Sequence, residues 1–339
     1  MQTLFDALHD RAELSPDECA FAVGWLADAA VDPAEKGRFL EALGHKGETA
    51  AELAYFARAL ITRAVDPNIA PSDVSGPMLD VCGTGGDRLE LFNISTASMF
   101  VLAGGGAVVV KHGNRAITSQ CGGADVLEAL GVGIDLPPQR LRECVLRHGL
   151  GFVFAPAYHP AFAVIGPVRR ALASRGISTI FNLLGPLLNP ARPTHQLVGV
   201  YAAELLEKYA GALLHLGRER AWAVHGTGAD ELTLAGPGVG MSVERGQVRS
   251  FTLDPAELGL PHAPVEALRG GDRETNARML ESILDGTLQG PPAEAVLLNS
   301  AAGFVVAGLA SELAGGLARA RESVASGAAL AKLNALRKV

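Results

Sequence analysis

Asp80-Val81-Cys82-Gly83-Thr84-Gly85-Gly86-Asp87 is followed by Asn93-Ile94-Ser95-Thr96 and then by Lys111-His112-Gly113-Asn114-Arg115. Residues of these types suit the binding of an anion. Glycines leaving a strand let backbone N–H groups turn toward an anion with no Cβ in the way. A Rossmann fingerprint would need Gly at position 88, where Arg88 stands, and a Walker A loop would need Gly-Lys-Ser or Gly-Lys-Thr, which is absent. On its own such a cluster is as often a tight turn. Asn93 to Thr96 precede the apolar run Ala97 to Leu102, so their hydroxyls are expected to cap a helix whose free N–H groups and positive dipole end favour phosphate. Lys111 to Arg115 stand at the carboxyl end of the β-type run Ala107–Val110, the edge where open α/β sheets bind ligands. Thr118, Ser119 and the start of a helix from Ala124 to Leu130 offer further donors.

Asp230-Glu231 follows the β-type run ending at His225. A carboxylate pair beside phosphate loops suits Mg²⁺, which takes one or two carboxylates and leaves positions for phosphate oxygens. An isolated Asp-Glu pair would otherwise be a solvated surface. Arg169-Arg170, on a helix after Pro160, offers a guanidinium fork for a carboxylate. His112, His159 and His225 have no Ser or Cys partner pattern for covalent catalysis and read as positioning residues.

The elements that must position these groups can be read from periodicity. Residues 1 to about 65 look wholly helical and suggest three short helices, with Ser15-Pro16-Asp17-Glu18 and Thr49-Ala50-Ala51-Glu52 as starts. Leu53, Phe56, Ala57, Leu60 and Ile61 form an apolar stripe that needs a partner surface, intramolecular or in a dimer. The breaker-rich segment Asp66–Asp73 marks a boundary, a linker or hinge. Beyond it, β-type runs at 78–82, 107–111, 152–154, 196–201, 221–225 and 248–253 alternate with helical patterns, as in a mostly parallel sheet covered by helices. From Pro292 onward a buried helix and one more helix end the chain. The fold class is therefore α/β: a small N-terminal helical domain, residues 1–70 completed by helices from about 160–180, and a large α/β domain, residues 71–339, with a central mostly parallel sheet flanked by helices.

Composition narrows the function. A net charge of −7 over 339 residues argues against broad attraction to nucleic acid or anionic lipid and requires any phosphate site to be local. Cys19, Cys82, Cys121 and Cys144 are isolated, which suits a reducing cytoplasm better than a disulfide framework or structural zinc. No run approaches the roughly 18 uninterrupted apolar residues of a membrane span, and the N-terminus lacks an export signal.

Taken with Ala124-Asp125-Val126-Leu127-Glu128-Ala129-Leu130-Gly131, Phe181-Asn182-Leu183-Leu184-Gly185-Pro186, Asp230-Glu231 and the late Gly270-Gly271-Asp272 with Asn276-Ala277, these motifs resemble the anthranilate phosphoribosyltransferase family over nearly the whole chain. The resemblance implies the two-domain arrangement shared with pyrimidine nucleoside phosphorylases, a homodimer through the helical domain, the substrates phosphoribosyl pyrophosphate (PRPP) and anthranilate, and Mg²⁺. By motif match it implies that Gly83, Gly86, Asp87, Asn93, Ile94, Ser95, Thr96, Lys111, His112, Gly113, Asn114, Arg115 and Ser119 bind substrate, that Ser95, Asp230 and Glu231 serve the metal, and that Gly83, Asn114 and Arg169 face anthranilate.

The chain departs from that pattern at Leu91, where Thr is usual, at Gln120, where Lys is usual, and at Cys121-Gly122-Gly123, where Ser-Gly-Ser is usual. Each lost phosphate hydrogen bond would weaken binding by roughly 1.5–3 kcal/mol unless replaced, and Arg88 and Arg115 stand near enough to be the replacements. Two other readings are a pyrimidine nucleoside phosphorylase-like enzyme and a non-catalytic nucleic-acid-binding relative. Asp230-Glu231 counts against the first, and the acidic balance against the second.

Overall fold

The computed structural model describes residues 1–87, 89–116 and 120–339. Ser15 and Thr49 each close a capping box, with Glu18 and Glu52, and these open the helices Pro16–Ala27 and Ala50–Ile61. Glu52 also accepts the Leu14 amide at 2.8 Å and pairs with Lys46 at 2.7 Å, both side chains being buried. One cap thus ties three segments of the bundle together. Four helices, not three, fill this region, because Gln2–His9 precedes Pro16–Ala27, Pro33–Lys46 and Ala50–Ile61. The first carries no side-chain cap, and the burial of Leu4 and Leu8 one turn apart is what holds it. The helix Ala161–Ala173 packs on this bundle through Ile165, Val168 and Leu172.

Among the described residues seven strands form one sheet: β1 (Met78–Gly83), β2 (Val108–Gly113), β3 (Leu150–Phe154), β4 (His195–Gly199), β5 (Arg220–His225), β6 (Gly238–Glu244) and β7 (Gln247–Leu253). Their order is β3-β2-β1-β4-β5-β6-β7, parallel through β5 and antiparallel at β6 and β7. β6 has no counterpart among the runs read from the sequence. Its Gly238 and Gly240 dilute the β pattern, and the Phe251 ring of β7 fills the space over Gly240. From the central β1 the chain steps to β2 and β3 on one side, then returns to β4 and β5 on the other. The crevice at the carboxyl ends of β1 and β4 is where such sheets bind ligands.

Side chains alternate between two cores. Leu197 and Val224 face the layer built from the helices Ile94–Gly104, Arg273–Leu284 and Pro291–Val306, while Val198, Ala221 and Ala223 face the N-terminal bundle and the helix Leu206–His215. After the buried Pro291–Val306 helix the chain adds two helices, Leu313–Ala325 and Ala328–Leu336, where the sequence suggests one. Gly327, at φ +75°, breaks them apart. The breaker-rich segment is anchored by Arg142, which donates to the Asn68 carbonyl at 2.7 Å and pairs with Asp73 at 3.1 Å. Among the described residues no helix is long and apolar enough to cross a membrane.

Candidate active site

β1 ends at Gly83, and Gly85 and Gly86 carry the chain onward at φ +67° and +94°, a region that side chains with a Cβ rarely enter. The Gly85 amide so turned donates to Asp230 Oδ2 at 2.5 Å, joining residues 145 positions apart. A Cβ on Gly83 would run into the Asp230 carboxylate, and one on Gly199 into the Asp230 carbonyl. The glycine turn and the acidic pair therefore share one crevice at the exits of β1 and β4. Beside them, Glu231 Oε1 accepts the Ser95 amide at 3.2 Å, and Lys111 Nζ reaches Ser95 Oγ at 3.3 Å and the Val81 carbonyl.

The electrostatics fit a cation. Burial raises the Asp230 carboxyl, and the neighbouring Asp87 raises it further; Glu231 is raised by burial and then by Asp230, with Lys111 and Ser95 acting the other way. Three carboxyl groups thus crowd together, offset by the Lys111 ammonium and by the Gly85 and Ser95 hydrogen bonds. Among the described residues no three His, Cys, Asp or Glu side chains enclose a metal on their own. An all-oxygen, incompletely coordinating set of this kind suits Mg²⁺, which keeps waters and takes substrate phosphate oxygens.

The expected hydroxyl cap is not formed. Asn93 is the N-cap of the Ile94–Gly104 helix without a side-chain cap bond, and Ser95 and Thr96 lie inside its first turn. Asn93 instead donates to the Cys121 carbonyl at 3.0 Å and accepts from Asn276 Nδ2 at 3.1 Å, while Asn276 Oδ1 accepts the Gly271 amide at 2.8 Å. This network explains the late Gly270-Gly271 segment: it docks against the helix start. Ser95 N–H is held by Glu231, so the helix end and the acidic pair are one unit.

Lys111, which closes the 107–111 run, and His112 after it are strand residues of β2, 4% and 7% exposed. Arg115 corrects a second expectation. Its guanidinium lies on Glu128 at 2.8 Å and Asp125 at 3.2 Å and over the Phe154 ring, so it braces the loop instead of standing free to replace a lost phosphate donor. Asp125 completes the brace by accepting the Ala116 and Gly122 amides at 2.8 and 2.9 Å. Arg88, Thr118 and Ser119 lie outside the described residues.

A second cluster sits beside the strand exit. The rings of His112 and His159 meet edge to face at 5.2 Å, His159 meets Phe162 at 5.6 Å, and Phe162 meets Phe181 at 5.7 Å. Arg169 lies 5.8 Å over Phe162 and 5.2 Å over Phe181 and donates to the Phe181 carbonyl at 3.3 Å. Burial, then His159, holds His112 down to about 3, and burial holds His159 down to about 4, so both imidazoles are neutral at pH 7. Their Nε2 atoms are buried without a partner. His225 stands apart, its Nδ1 2.8 Å from the Val200 carbonyl. Arg170 is exposed. His159 gains its place only through the fold, since in the sequence it is one histidine beside a proline. Asn299 gives a fainter sequence signal, an amide in an apolar helix. It bonds Leu232 in both directions, at 3.1 and 2.8 Å, which fixes the backbone after Asp230-Glu231.

Residues 2–64 match the model of the glycosyl transferase family helical bundle domain, and residues 75–330 match that of its a/b domain. The chain is 47% identical over 326 residues to an anthranilate phosphoribosyltransferase of Chloroflexus aurantiacus, covering 96% of this chain and 94% of that one. The chain belongs to the anthranilate phosphoribosyltransferase family. An anthranilate phosphoribosyltransferase of Anaeromyxobacter dehalogenans is 46% identical over 96% of this chain and 94% of its own. Among solved structures, the anthranilate phosphoribosyltransferase of Thermus thermophilus superposes with a TM-score of 0.91 at 41% identity, covering 99% of both chains. That of Saccharomyces cerevisiae, in complex with PRPP and Mg, gives 0.86 at 26% identity over 99% of this chain and 96% of that one.

Three of the four departures from the anthranilate phosphoribosyltransferase family's pattern noted above converge in space. Leu91, Gln120 and Cys121 line one small recess with Glu90, Gly270 and Asn276. Leu91 forms an antiparallel bridge with Arg269, and Gln120 donates to Glu90 at 3.4 Å. These residues tie the recess together, so each has a structural partner in place of a hydroxyl or an ammonium.

Proposed function

We propose that this chain transfers the phosphoribosyl group of PRPP to the amine of anthranilate, giving N-(5-phosphoribosyl)anthranilate and pyrophosphate. The observation that carries the reading is the Gly85–Asp230 bond at 2.5 Å, which brings the glycine turn and the acidic pair into one crevice. Gly83, Gly86, Asp87, Asn93, Ile94, Ser95, Thr96, Lys111, Gly113, Asn114 and Ser119 are assigned to PRPP, with Arg115 supporting the loop from behind. Ser95, Asp230 and Glu231 are the groups that would hold Mg²⁺. That ion supplies positive charge to the departing pyrophosphate.

The acceptor is assigned to the groups around the exits of β1 and β2. Gly83, Asn114 and Arg169 face anthranilate, with Arg169 available for its carboxylate and His112 and His159 against its ring. As the C1–O bond to pyrophosphate breaks, the amine forms the C1–N bond. The amine is already neutral near pH 7, so no strong base is needed, and the proton it sheds as the C1–N bond forms passes to water or to the departing pyrophosphate, leaving the neutral imidazoles a positioning role. Catalysis rests on positioning and on charge neutralisation at the leaving oxygens. Residues 1–70 with about 160–180 act as the small domain, closing on 71–339 around both substrates. The chain is taken to be a cytoplasmic homodimer joined through its helical bundle, with no nucleic acid or membrane partner.

The test mixes PRPP, Mg²⁺ and anthranilate and follows anthranilate fluorescence. The expected result is loss of signal that is abolished by chelation and by Glu231→Gln. An unchanged signal at high enzyme concentration removes the reading.

A further inference from the structure

The ladder between β1 and β2 runs out before either strand does. Met78 pairs with Val108 and Leu79 with Val109, whereas β1 continues along β4 to Gly83 opposite Gly199, and β2 continues along β3 to Gly113 opposite Phe154. Past Leu79, side chains bridge the seam. The His112 amide donates to Asp80 Oδ1 at 3.1 Å; Asn189 Nδ2 donates to Asp80 Oδ2 at 3.0 Å and to the Val110 carbonyl at 2.7 Å; and Lys111 Nζ donates to the Val81 carbonyl. Asp80 and Asn189 are both 0% exposed, and the Ala191 amide, bonding Asn189 Oδ1 at 3.0 Å, fixes the wedge in turn.

An ordinary ladder would satisfy the same backbone groups without burying a carboxylate on a central strand, which is costly. The wedge must be judged by the geometry it imposes. It determines how far the exit of β2 stands from the glycine turn after β1, and it grips His112, the first ring of the edge-to-face train His112, His159, Phe162 and Phe181 on which Arg169 lies. On the phosphate side, Ser95 and Asp230 are held by the Ser95–Glu231 and Gly85–Asp230 bonds, which do not pass through the wedge, and Lys111 keeps its bond to Ser95 Oγ at 3.3 Å beside the one it gives across the seam to Val81.

We propose that Asp80 and Asn189 are positioning residues for the acceptor: by bridging β1 to β2 beyond the end of their ladder they set where the aromatic amine sits relative to the sugar. This rests on the transferase reading above and deepens it. A shift of about 1 Å in a positioning group can cost on the order of a hundredfold in rate. Asn189→Ala, which removes both bridging donors, should raise the acceptor KM about tenfold or lower kcat by 10- to 100-fold, with the PRPP KM held within about twofold. Asp80→Asn retains an oxygen for the His112 amide but turns an NH2 toward the Asn189 donor, so it should show a loss of the same kind on the acceptor side. Amide hydrogen exchange at His112 should quicken, and its ring resonances shift, in Asn189→Ala. The inference is overturned if both KM values rise together in step with a lowered Tm, or if the His112 signals match the wild type. Absence of turnover in the wild type would remove the transferase reading, and the His112 signals would still decide whether the wedge positions that ring.

Discussion

At Gly83 a single hydrogen separates an intact crevice from a blocked one. The position needs no unusual φ; it needs the absence of a Cβ, because that atom would occupy the place of the Asp230 carboxylate. Asp230 cannot retreat freely, since its backbone is packed against Gly199. Gly83→Ala is therefore expected to displace the carboxylate and break the Gly85 bond, lowering kcat/KM for PRPP by at least about 100-fold, equivalent to roughly 2.7 kcal/mol. Gly85→Ala makes the control: nothing stands within 4 Å of its Cβ, and its strain at φ +67° costs about 1–3 kcal/mol of stability. Steady-state kinetics with thermal melts of both variants separate the cases. If Gly83→Ala retains wild-type kcat/KM, the acidic pair is not where the chemistry occurs.

Between elements, the joint of β2 with the Ala161–Ala173 helix carries two neutral histidines, which makes it sensitive to acid. Unfolded, each imidazole titrates near 6.5; folded, His112 is held down to about 3 and His159 to about 4. The unfolded chain therefore binds more protons across that window. Their contribution is complete above about pH 6.5 and is lost as pH falls toward the folded values, roughly 2 kcal/mol per histidine by pH 5. The raised carboxyls of Asp80, Asp230 and Glu231 work in the opposite direction, so the comparison must be made against a variant. His159→Phe keeps the ring packing and removes one titrating group. Urea unfolding at pH 7 and pH 5 should show the wild type losing about 2 kcal/mol more than the variant, and equal losses would mean that His159 is protonated in the folded state. None of this was readable from the sequence, where His159 has no partner in range. The glycine turn, the Asp230-Glu231 pair, the Thr49–Glu52 capping box and the helix start at Ser15 were readable, because each rests on local spacing. The Asp80–Asn189 wedge, the Arg115 brace and β6 were not, since they depend on contacts 109 residues apart, on competing acids 10 and 13 residues away, and on a neighbouring strand's ring filling a glycine.

For the whole molecule, the N-terminal bundle presents a large apolar side chain to solvent. Phe21 on the Pro16–Ala27 helix is 54% exposed, and Val65, at the end of the bundle, is 37% exposed. Their neighbours Cys19, Ala22, Val23 and Leu26 point inward and are fully buried, so Phe21 cannot turn in without displacing the core. Burial of an exposed Phe against a second copy contributes about 1.5–3 kcal/mol, and each 1.4 kcal/mol is about tenfold in affinity. A carboxylate at that position adds the cost of desolvating a charge. If the proposed dimer forms through this face, Phe21→Asp should raise its dissociation constant by about 100-fold or more, read by sedimentation velocity over a concentration series, with helicity and Tm measured on the monomer changing little because the ring stands half out of the bundle. A dimer that persists at wild-type concentrations in Phe21→Asp would place the contact elsewhere on the chain, and a wild type that sediments as a monomer throughout would mean that the exposed ring serves no self-association.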